Sequence, residues 1–515
     1  MSKSGSSGVL TTFFIDHGSR QPIYKQLFRE VRLAIISGRI APCAKLPATR
    51  VLARELGLSR NTVVSVFDQL AAEGYVSCCV GDGTYVSGTL PEDHLLPRQT
   101  IARAPAANAA GNASLSARGL MLAQALTSTS SSDPMPPRPF CADLPAVDAF
   151  PVEAWARLMT KCWYKITPNI LGHVDPAGYG PLREVIAQHL RAARFVRSDP
   201  EQIVVTSGSQ QSLDLIARLL IDPGDPVWIE EPGYIGARSV FAAASARVVP
   251  VPIDGAGLRI AEGRANEPAP KLIFISPSRQ YPLGMTLSAE RRLELLEFAN
   301  SVGAWIVEDD YDSEFRYSGT ALPAVQSLDE SGRVIYLGTF SKSLLPAFRL
   351  GYLVVPKALA KSFVTAKSVV ARHAPILEQM TLYEFIACGQ FAAHVRKMRQ
   401  LYLERRTCLL AGLSQHLSHL ITMTPAETGM DVAGFLADDI DDVAFCAAAG
   451  RKGISLRPLS IYYCRPEKRS GVILGFSAVP PPRIAIGIKQ LAEFASSYLP
   501  AGHRRDTSRL PALAD

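Results

Sequence analysis

No uninterrupted apolar stretch approaches the roughly 18 residues that a membrane-spanning helix needs, so no membrane association is expected. The first residues, Met-Ser-Lys-Ser-Gly-Ser-Ser-Gly, lack the apolar core of a secretory signal. Nine cysteines, at 43, 78, 79, 141, 162, 388, 408, 446 and 464, are odd in number and show no CxxC spacing. That pattern argues against a disulfide framework and against a zinc site, so no metal is expected and a reducing cytoplasm fits. Charge is not strongly one-sided. The net of +7 permits nucleic-acid binding without demanding it. There is no internal repeat.

What is present is an ordinary globular balance, 47% hydrophobic and 20% charged, over 515 residues, which is more than one domain's worth. Residues 20–90 read as one compact unit. Ile23–Ile36 carries apolar residues at helical spacing. A second helix is expected over Leu46–Leu56 around Pro47, with Gly57-Leu58 as the turn after it. Ser59 suits the N-cap of a third helix running to about Glu73. The β-formers Gly74-Tyr75-Val76, the turn Gly81-Asp82-Gly83 and Thr84-Tyr85-Val86 complete a hairpin. Three helices and a hairpin make a winged helix-turn-helix. A helix entering the major groove needs polar side chains at its N-terminal end. Ser59, Arg60, Asn61 and Thr62 supply an arginine, an amide and two hydroxyls there. Lys45 and Arg50 are placed for phosphates, and Gly83 and Thr84 for contact from the wing tip. Eight basic residues face five acidic ones over 22–90, a modest positive excess.

Residues 91–138 change texture. Ala-rich and Ser-rich pieces run into Pro-Met-Pro-Pro-Arg-Pro, a composition that cannot support a packed core and reads as a flexible linker. A short amphipathic helix is expected within it, around Leu120–Leu126. From 139 to 500 the pattern is mixed α/β. Buried strands are expected at Ile203–Thr206, Pro226–Ile229, Leu272–Ser276, Trp305–Val307, Val334–Leu337 and Tyr352–Val355. Helices at Pro181–Phe195, Gln211–Leu220, Ala289–Ser301 and Glu378–Ile386 alternate with them, which argues for a mostly parallel sheet covered on both faces. Residues 501–515 read as a polar tail.

The most informative segment is Leu337-Gly-Thr-Phe-Ser-Lys-Ser-Leu-Leu-Pro-Ala-Phe-Arg-Leu-Gly. Lys342 stands beside Ser341, near Thr339, and seven residues ahead of Arg349. This suits a lysine that forms an imine with pyridoxal phosphate while the hydroxyls and the arginine hold the phosphate. Trp305-Ile-Val-Glu-Asp-Asp-Tyr is an apolar strand running into acids. Asp309 or Asp310 would face the ring nitrogen, and Tyr311 the ring hydroxyl. Thr206-Ser-Gly-Ser-Gln-Gln-Ser, with Gly208, Ser209 and Gln210, opens a helix whose free N–H groups suit an anion. Tyr234 offers a stacking face.

Two resemblances follow from these residues. Leu46-Pro-Ala-Thr-Arg-Val-Leu-Ala-Arg-Glu-Leu-Gly-Leu-Ser-Arg-Asn-Thr-Val, with Leu70-Ala-Ala-Glu-Gly-Tyr and Gly81-Asp-Gly-Thr-Tyr-Val, resembles the GntR-type DNA-binding domain. The second half resembles fold type I pyridoxal-phosphate aminotransferases through Gly178-Tyr-Gly-Pro-Leu-Arg, Pro277-Ser-Arg-Gln-Tyr-Pro-Leu-Gly, Glu308-Asp-Asp-Tyr-Asp-Ser-Glu-Phe-Arg and His394-Val-Arg-Lys-Met-Arg-Gln-Leu-Tyr. Together they resemble the MocR/GabR subfamily of GntR regulators. The resemblance implies a winged helix-turn-helix joined to an α/β fold type I transferase domain with a smaller C-terminal α+β subdomain. It implies operator binding by a homodimer, with Arg50, Arg60 and the wing near Gly83 at the DNA. It also implies Lys342 as the Schiff-base lysine, Asp309 at the ring nitrogen, Tyr234 as the stacking ring, and Ser209, Gln210, Ser341 and Arg349 around the phosphate.

The chain departs from working aminotransferases at two places and from the regulators at one. Tyr281 stands where Asn-Pro-x-Gly is usual. Arg279 stands where the regulators usually have histidine. Ile473 stands where a substrate-carboxylate arginine is usual, and Arg457 or Arg465 would have to substitute. The expectation is therefore a regulator that senses pyridoxal phosphate, with or without a small amine or amino-acid effector, and retains at most transaminase half-reactions. The alternatives are a working aminotransferase that carries a DNA reader and a DNA-binding protein with a vestigial pocket.

Overall fold

The computed structural model describes residues 13, 15–16, 18–19, 21–79, 82–90, 115–124, 136–319, 323–425, 427–437 and 439–498. The chain divides into two compact units, with the division at 114/115.

In the first unit α1 spans Ile23–Ile36, α2 Thr49–Glu55 and α3 Arg60–Ala72. The apolar stripe of α1 buries Leu27, Val31, Ala34 and Ile35 against Leu52, Val63, Val66, Phe67 and Leu70 of the other two helices. Each of these valine, leucine, isoleucine and phenylalanine side chains, fully buried, contributes about 1.5–3 kcal/mol. Helix α2 is shorter than the sequence suggests, because Pro47 and Ala48 stay extended ahead of it. Ser59 caps α3 by accepting a hydrogen bond from the Thr62 N–H at 3.1 Å. The wing is an antiparallel pair, β1 (Val76–Cys79) and β2 (Gly83–Val86). Gly81, in the expected turn between them, lies outside the described residues.

The second unit begins with a helix, α4 (Ala117–Gln124), inside the stretch read as linker. It packs on the helix Ile235–Ala243, so this part of the expected linker belongs to the second body. Leu126, the far end of the expected helix, lies outside the described residues, as does the tail 501–515. The main sheet contains β3 (Ile203–Thr206), β4 (Pro226–Glu231), β5 (Arg247–Asp254), β6 (Gly257–Leu258), β7 (Leu272–Ile275), β8 (Trp305–Asp310), β9 (Val334–Thr339) and β10 (Gly351–Val354). Their order is β3-β10-β9-β8-β7-β4-β5-β6. From β9 to β5 all neighbours are parallel, whereas β10 runs antiparallel to both β9 and β3. Apolar clusters on both faces explain why these strands read as continuous apolar runs.

Strand β5 was not expected, since Pro250 and Pro252 interrupt it. It lies next to the sheet edge, where only the two residues of β6 pair with its end, and prolines are tolerated there. A second, antiparallel sheet of order β11-β12-β14-β13 holds β11 (Thr422–Met423), β12 (Asp431–Phe435), β13 (Arg457–Pro458) and β14 (Gly471–Gly475). It packs with the 28-residue helix Gln390–Leu417 and the helix Pro481–Tyr498 around its own core, the smaller α+β subdomain.

Candidate functional site

A cavity of about 690 Å³ opens at the carboxyl ends of the parallel strands. Ligands of open α/β sheets bind at these ends, because the loops leaving neighbouring strands converge there. The loop after β3 brings Ser209 and Gln210 to the cavity, the loop after β4 brings Tyr234, and the segment after β7 brings Tyr281. The end of β8 brings Asp309 and Tyr311, and the loop after β9 brings Thr339, Ser341 and Lys342, with Arg349 just beyond. Gly208 lies under the Arg349 guanidinium, where an added Cβ would meet Arg349 atoms at 3.4 Å. Its φ of +98° also favours glycine. Eleven residues far apart in sequence thus share one cavity or its wall.

Strand β8 does not stop before its acids. It carries Glu308, Asp309 and Asp310 into the buried interior, and the pleat separates them. Glu308 accepts from the N–H groups of Val325 and Gln326, each at 2.9 Å. Asp310 pairs with Arg194 at 2.7 Å and accepts from the Tyr336 hydroxyl. Asp309 faces the cavity, and its Oδ1 has no protein partner. Burial raises its pKa to about 8, with Asp310 and Asp312 adding to the rise and Lys342 opposing it. A buried carboxylate aimed into a cavity and left without a donor fits a cationic group of a ligand.

A raised carboxyl pKa means that the folded state holds the proton more tightly than the unfolded one. The stability from Asp309 is therefore fully present below its ordinary value of 3.8 and lost as pH rises toward about 8. In cofactor-free protein, Asp309→Asn is expected to stabilise the fold at pH 8 by on the order of 4 kcal/mol, with a much smaller gain at pH 4. Urea unfolding at the two pH values measures the difference. An equal effect at both would remove the assignment of a buried, unpartnered charge.

Tyr311 shares a side with Asp309, but its hydroxyl is already engaged. It donates to the Arg279 carbonyl at 3.1 Å and accepts from Arg279 Nη1 at 2.9 Å. Arg279 is buried and also binds Asp312 at 3.3 Å and Asp431. The expected bond from Tyr311 to a ring hydroxyl therefore competes with an internal one. Tyr234 is oriented by Gln210, whose Nε2 donates to its hydroxyl at 2.8 Å, and lies near-parallel to Phe274 at 6.5 Å. Gly236 leaves room for both, since a Cβ there would fall 2.1 Å from Gln210 Nε2.

The sequence reading missed one charged residue of the cavity, Asp143, and named Arg457 only as a substitute for the missing carboxylate arginine. Asp143 accepts a hydrogen bond from Lys342 Nζ at 2.6 Å and from the Tyr281 hydroxyl at 3.0 Å, and it pairs with Arg457. These cations hold its carboxyl well below the usual carboxylate range against the cost of burial. Asp143 sits in the left-handed region at φ +68°. Arg457 on β13 is the direct cross-strand partner of Ile473 on β14. A guanidinium thus reaches the cavity from beside the position where the expected arginine is missing. Arg465 instead donates to the Pro250 carbonyl at 2.8 Å and does not line the cavity. The isolated signal was available only as the pair Ile473 and Arg457, whose adjacency is a matter of strand register.

In the first unit Arg50, Arg60 and Asn61 are exposed, as is Gly83. Three of the expected DNA-facing side chains have internal work. Ser59 Oγ and Thr62 Oγ1 lie 2.8 Å apart and serve the α3 cap, so their hydroxyls are less free than a reading role requires. Lys45 pairs with Asp82 at 2.7 Å and lies over the Tyr85 ring. That pair is half-exposed and therefore weak. Thr84 is half-buried in β2.

The fold and the cavity define an aminotransferase-type pocket on the same chain as a winged-helix DNA reader. Residues 143–473 match the family model "Aminotransferase class I and II", and residues 23–86 match "Bacterial regulatory proteins, gntR family". The chain is 39% identical to the probable rhizopine catabolism regulatory protein MocR of Rhizobium meliloti, over 93% of this chain and 94% of that one. It is 30% identical to the pyridoxine biosynthesis transcriptional regulator PdxR of Corynebacterium glutamicum, over 88% and 91%. A kynurenine aminotransferase of Pyrococcus horikoshii, solved in complex with PMP, superposes with a TM-score of 0.66 at 30% identity, covering 71% of this chain and 92% of that one. The chain belongs to the MocR/GabR-type subfamily of GntR transcriptional regulators.

Proposed function

We propose that this transcriptional regulator holds pyridoxal 5'-phosphate in the cavity at Lys342, senses an amine there, and reads operator DNA as a cytoplasmic homodimer. The observation that carries the cofactor reading is the unpartnered buried carboxylate of Asp309, in one cavity with Lys342 and the Gly208–Arg349 cradle. Bound there, pyridoxal phosphate supplies an electrophilic aldehyde and an electron-poor ring. Lys342 offers the primary amine for the aldehyde. Asp309 holds a proton at the ring nitrogen, which turns the cost of its burial into affinity. Tyr234 gives the ring a face, and Tyr281 and Tyr311 close the cavity around it. The N–H groups at the start of helix Ser209–Leu220, with Gln210, Thr339, Ser341 and Arg349, hold the phosphate.

Residues 20–90 form the reader in this proposal, 91–138 the connection, whose helix α4 packs on the sensing body 139–500, and 501–515 a tail. Arg60 and Asn61 at the N-terminus of α3 contact base edges. Arg50 and Lys45 contact phosphates, Ser59 and Thr62 hold α3 in position, and Gly83 and Thr84 approach from the wing. An effector alters transcription only by binding two arrangements of the readers with different affinity.

Footprinting of the promoter region with full-length protein, with and without pyridoxal phosphate, tests the reading. A cofactor-dependent change in the protected pattern is expected, and identical patterns count against sensing. Arg60→Ala is expected to weaken operator binding roughly tenfold and to relax the preference for the base pair it reads, whereas Arg50→Ala should weaken all sequences alike and reduce the salt slope by about 1. Unchanged affinity and base preference of Arg60→Ala in a fluorescence-anisotropy titration would sink the recognition-helix assignment. Steady turnover of an amino acid and a keto acid would favour the aminotransferase reading instead.

A further inference from the structure

Arg457 is the one guanidinium among the cavity-lining residues besides Arg349, and it is not free. Asp143, also in the lining, pairs with it, so the two charges cancel before any ligand arrives. Tyr281 and Tyr462 hydroxyls also accept from Arg457 Nη1, at 3.0 and 3.2 Å, which fixes that nitrogen against Asp143. A ligand carboxylate reaching Arg457 would have to take this partner away. Asp143, only about a quarter exposed, would then stand next to a second anion and without its guanidinium, which disfavours such a ligand. An ammonium meets the opposite situation. Asp143 Oδ1 lies 2.6 Å from Lys342 Nζ. When Lys342 gives its amine to the cofactor, that carboxylate oxygen faces the place where an incoming amine must stand.

Building on the cofactor reading above, we infer that this site selects primary amines that carry no carboxylate, and that Asp143 decides the selection. Amino alcohols are the fitting class, since Tyr281, Tyr462 and Ser455 line the same cavity with hydroxyls. Specificity here comes from an element that opposes the wrong ligand as much as from one that attracts the right one. Asp143 holds a left-handed φ of +68°, a conformation that glycine adopts without strain. Asp143→Gly is therefore a substitution the backbone accepts, and it leaves Arg457 without its carboxylate partner.

The test uses full-length protein loaded with pyridoxal phosphate. Two matched pairs are titrated, 4-aminobutan-1-ol against 4-aminobutyrate and 3-aminopropan-1-ol against 3-aminopropionate. The readouts are the change in cofactor absorption and the shift in melting temperature. Wild type is expected to half-saturate with the amino alcohols at a concentration at least about tenfold lower than with the amino acids. Asp143→Gly is expected to reverse the order, and Asp143→Gly with Arg457→Met to abolish the preference. Asp143→Asn, which keeps the shape and removes the charge, loses the preference for the amino alcohols and covers the case of an unstable glycine variant. A wild type that prefers the amino acids, or responds to neither class, overturns the inference. So does an unchanged order in both the glycine and the asparagine variants. A wild type that takes up no cofactor is seen before any amine is added, and it is the cofactor reading that then fails.

Discussion

Lys342→Ala is expected to abolish the visible absorption that the wild-type protein acquires with pyridoxal phosphate, and to weaken cofactor binding by at least roughly 100-fold, about 2.7 kcal/mol. The size of the effect follows from chemistry, because no other residue given to the cavity carries a primary amine. The fold is expected to survive. The Lys342 ammonium bonds only the carboxylate and carbonyl of Asp143. Asp143 keeps Arg457 and Tyr281 when the lysine is gone. Stability should therefore change by no more than about 1 kcal/mol. Absorbance titration alongside a thermal melt reads both quantities. A soluble, folded Lys342→Ala protein that still develops the band would overturn the assignment of Lys342. Asp309→Asn should weaken cofactor binding as well while raising cofactor-free stability at pH 8. The two substitutions thus separate the residue that captures the cofactor from the one whose burial cost the cofactor relieves.

The second large effect lies behind the cavity. Arg279→Met removes the cation between Asp312 and Asp431, both buried, and withdraws a donor from the Tyr311 hydroxyl. Leaving buried carboxylates without their cation costs about 3–5 kcal/mol, or roughly 5–10 °C in melting temperature for a domain of this size. The pH dependence has a definite sign. Burial already raises the pKa of Asp312 to about 7, with Arg279 opposing the rise. Without Arg279 the folded-state value rises further, so the stability from this carboxyl is present at low pH and lost as pH rises. The deficit of the variant should be smaller at pH 5 than at pH 8. Differential scanning calorimetry at both values checks it, and a deficit that grows toward pH 5 contradicts the network. Arg279 also explains part of the backbone path nearby. Gly429 has a φ of +87°, and a Cβ there would fall 2.2 Å from Arg279 Nε.

Much of this molecule is legible along the chain because its signals are local. The stripe of α1, the Ser59 cap and the apolar runs of β3, β7 and β9 depend on near neighbours, and they appear in the structure within a few residues of expectation. The cavity-lining segments are legible for the same reason, since each is a short loop leaving a strand. Strand β5 was hidden by its prolines, and the β12–β14 pairing by the glycines that break or bound the apolar run in the two strands. The expected linker contains α4, whose packing partner lies more than a hundred residues further on.

The sequence by itself determined that a winged-helix reader and an aminotransferase-type pocket share one chain, because helical period, caps and loop chemistry are written in consecutive residues. Only the tertiary structure decided which acid of Glu308-Asp309-Asp310 lacks a partner, since that depends on where Arg194 and Tyr336 come to rest. Only strand register set Arg457 beside Ile473. The pairing of Asp143 with Lys342 and Arg457 joins residues 199 and 314 positions apart. No sequence period spans such distances, and it is at these distances that burial and charge set what the cavity accepts.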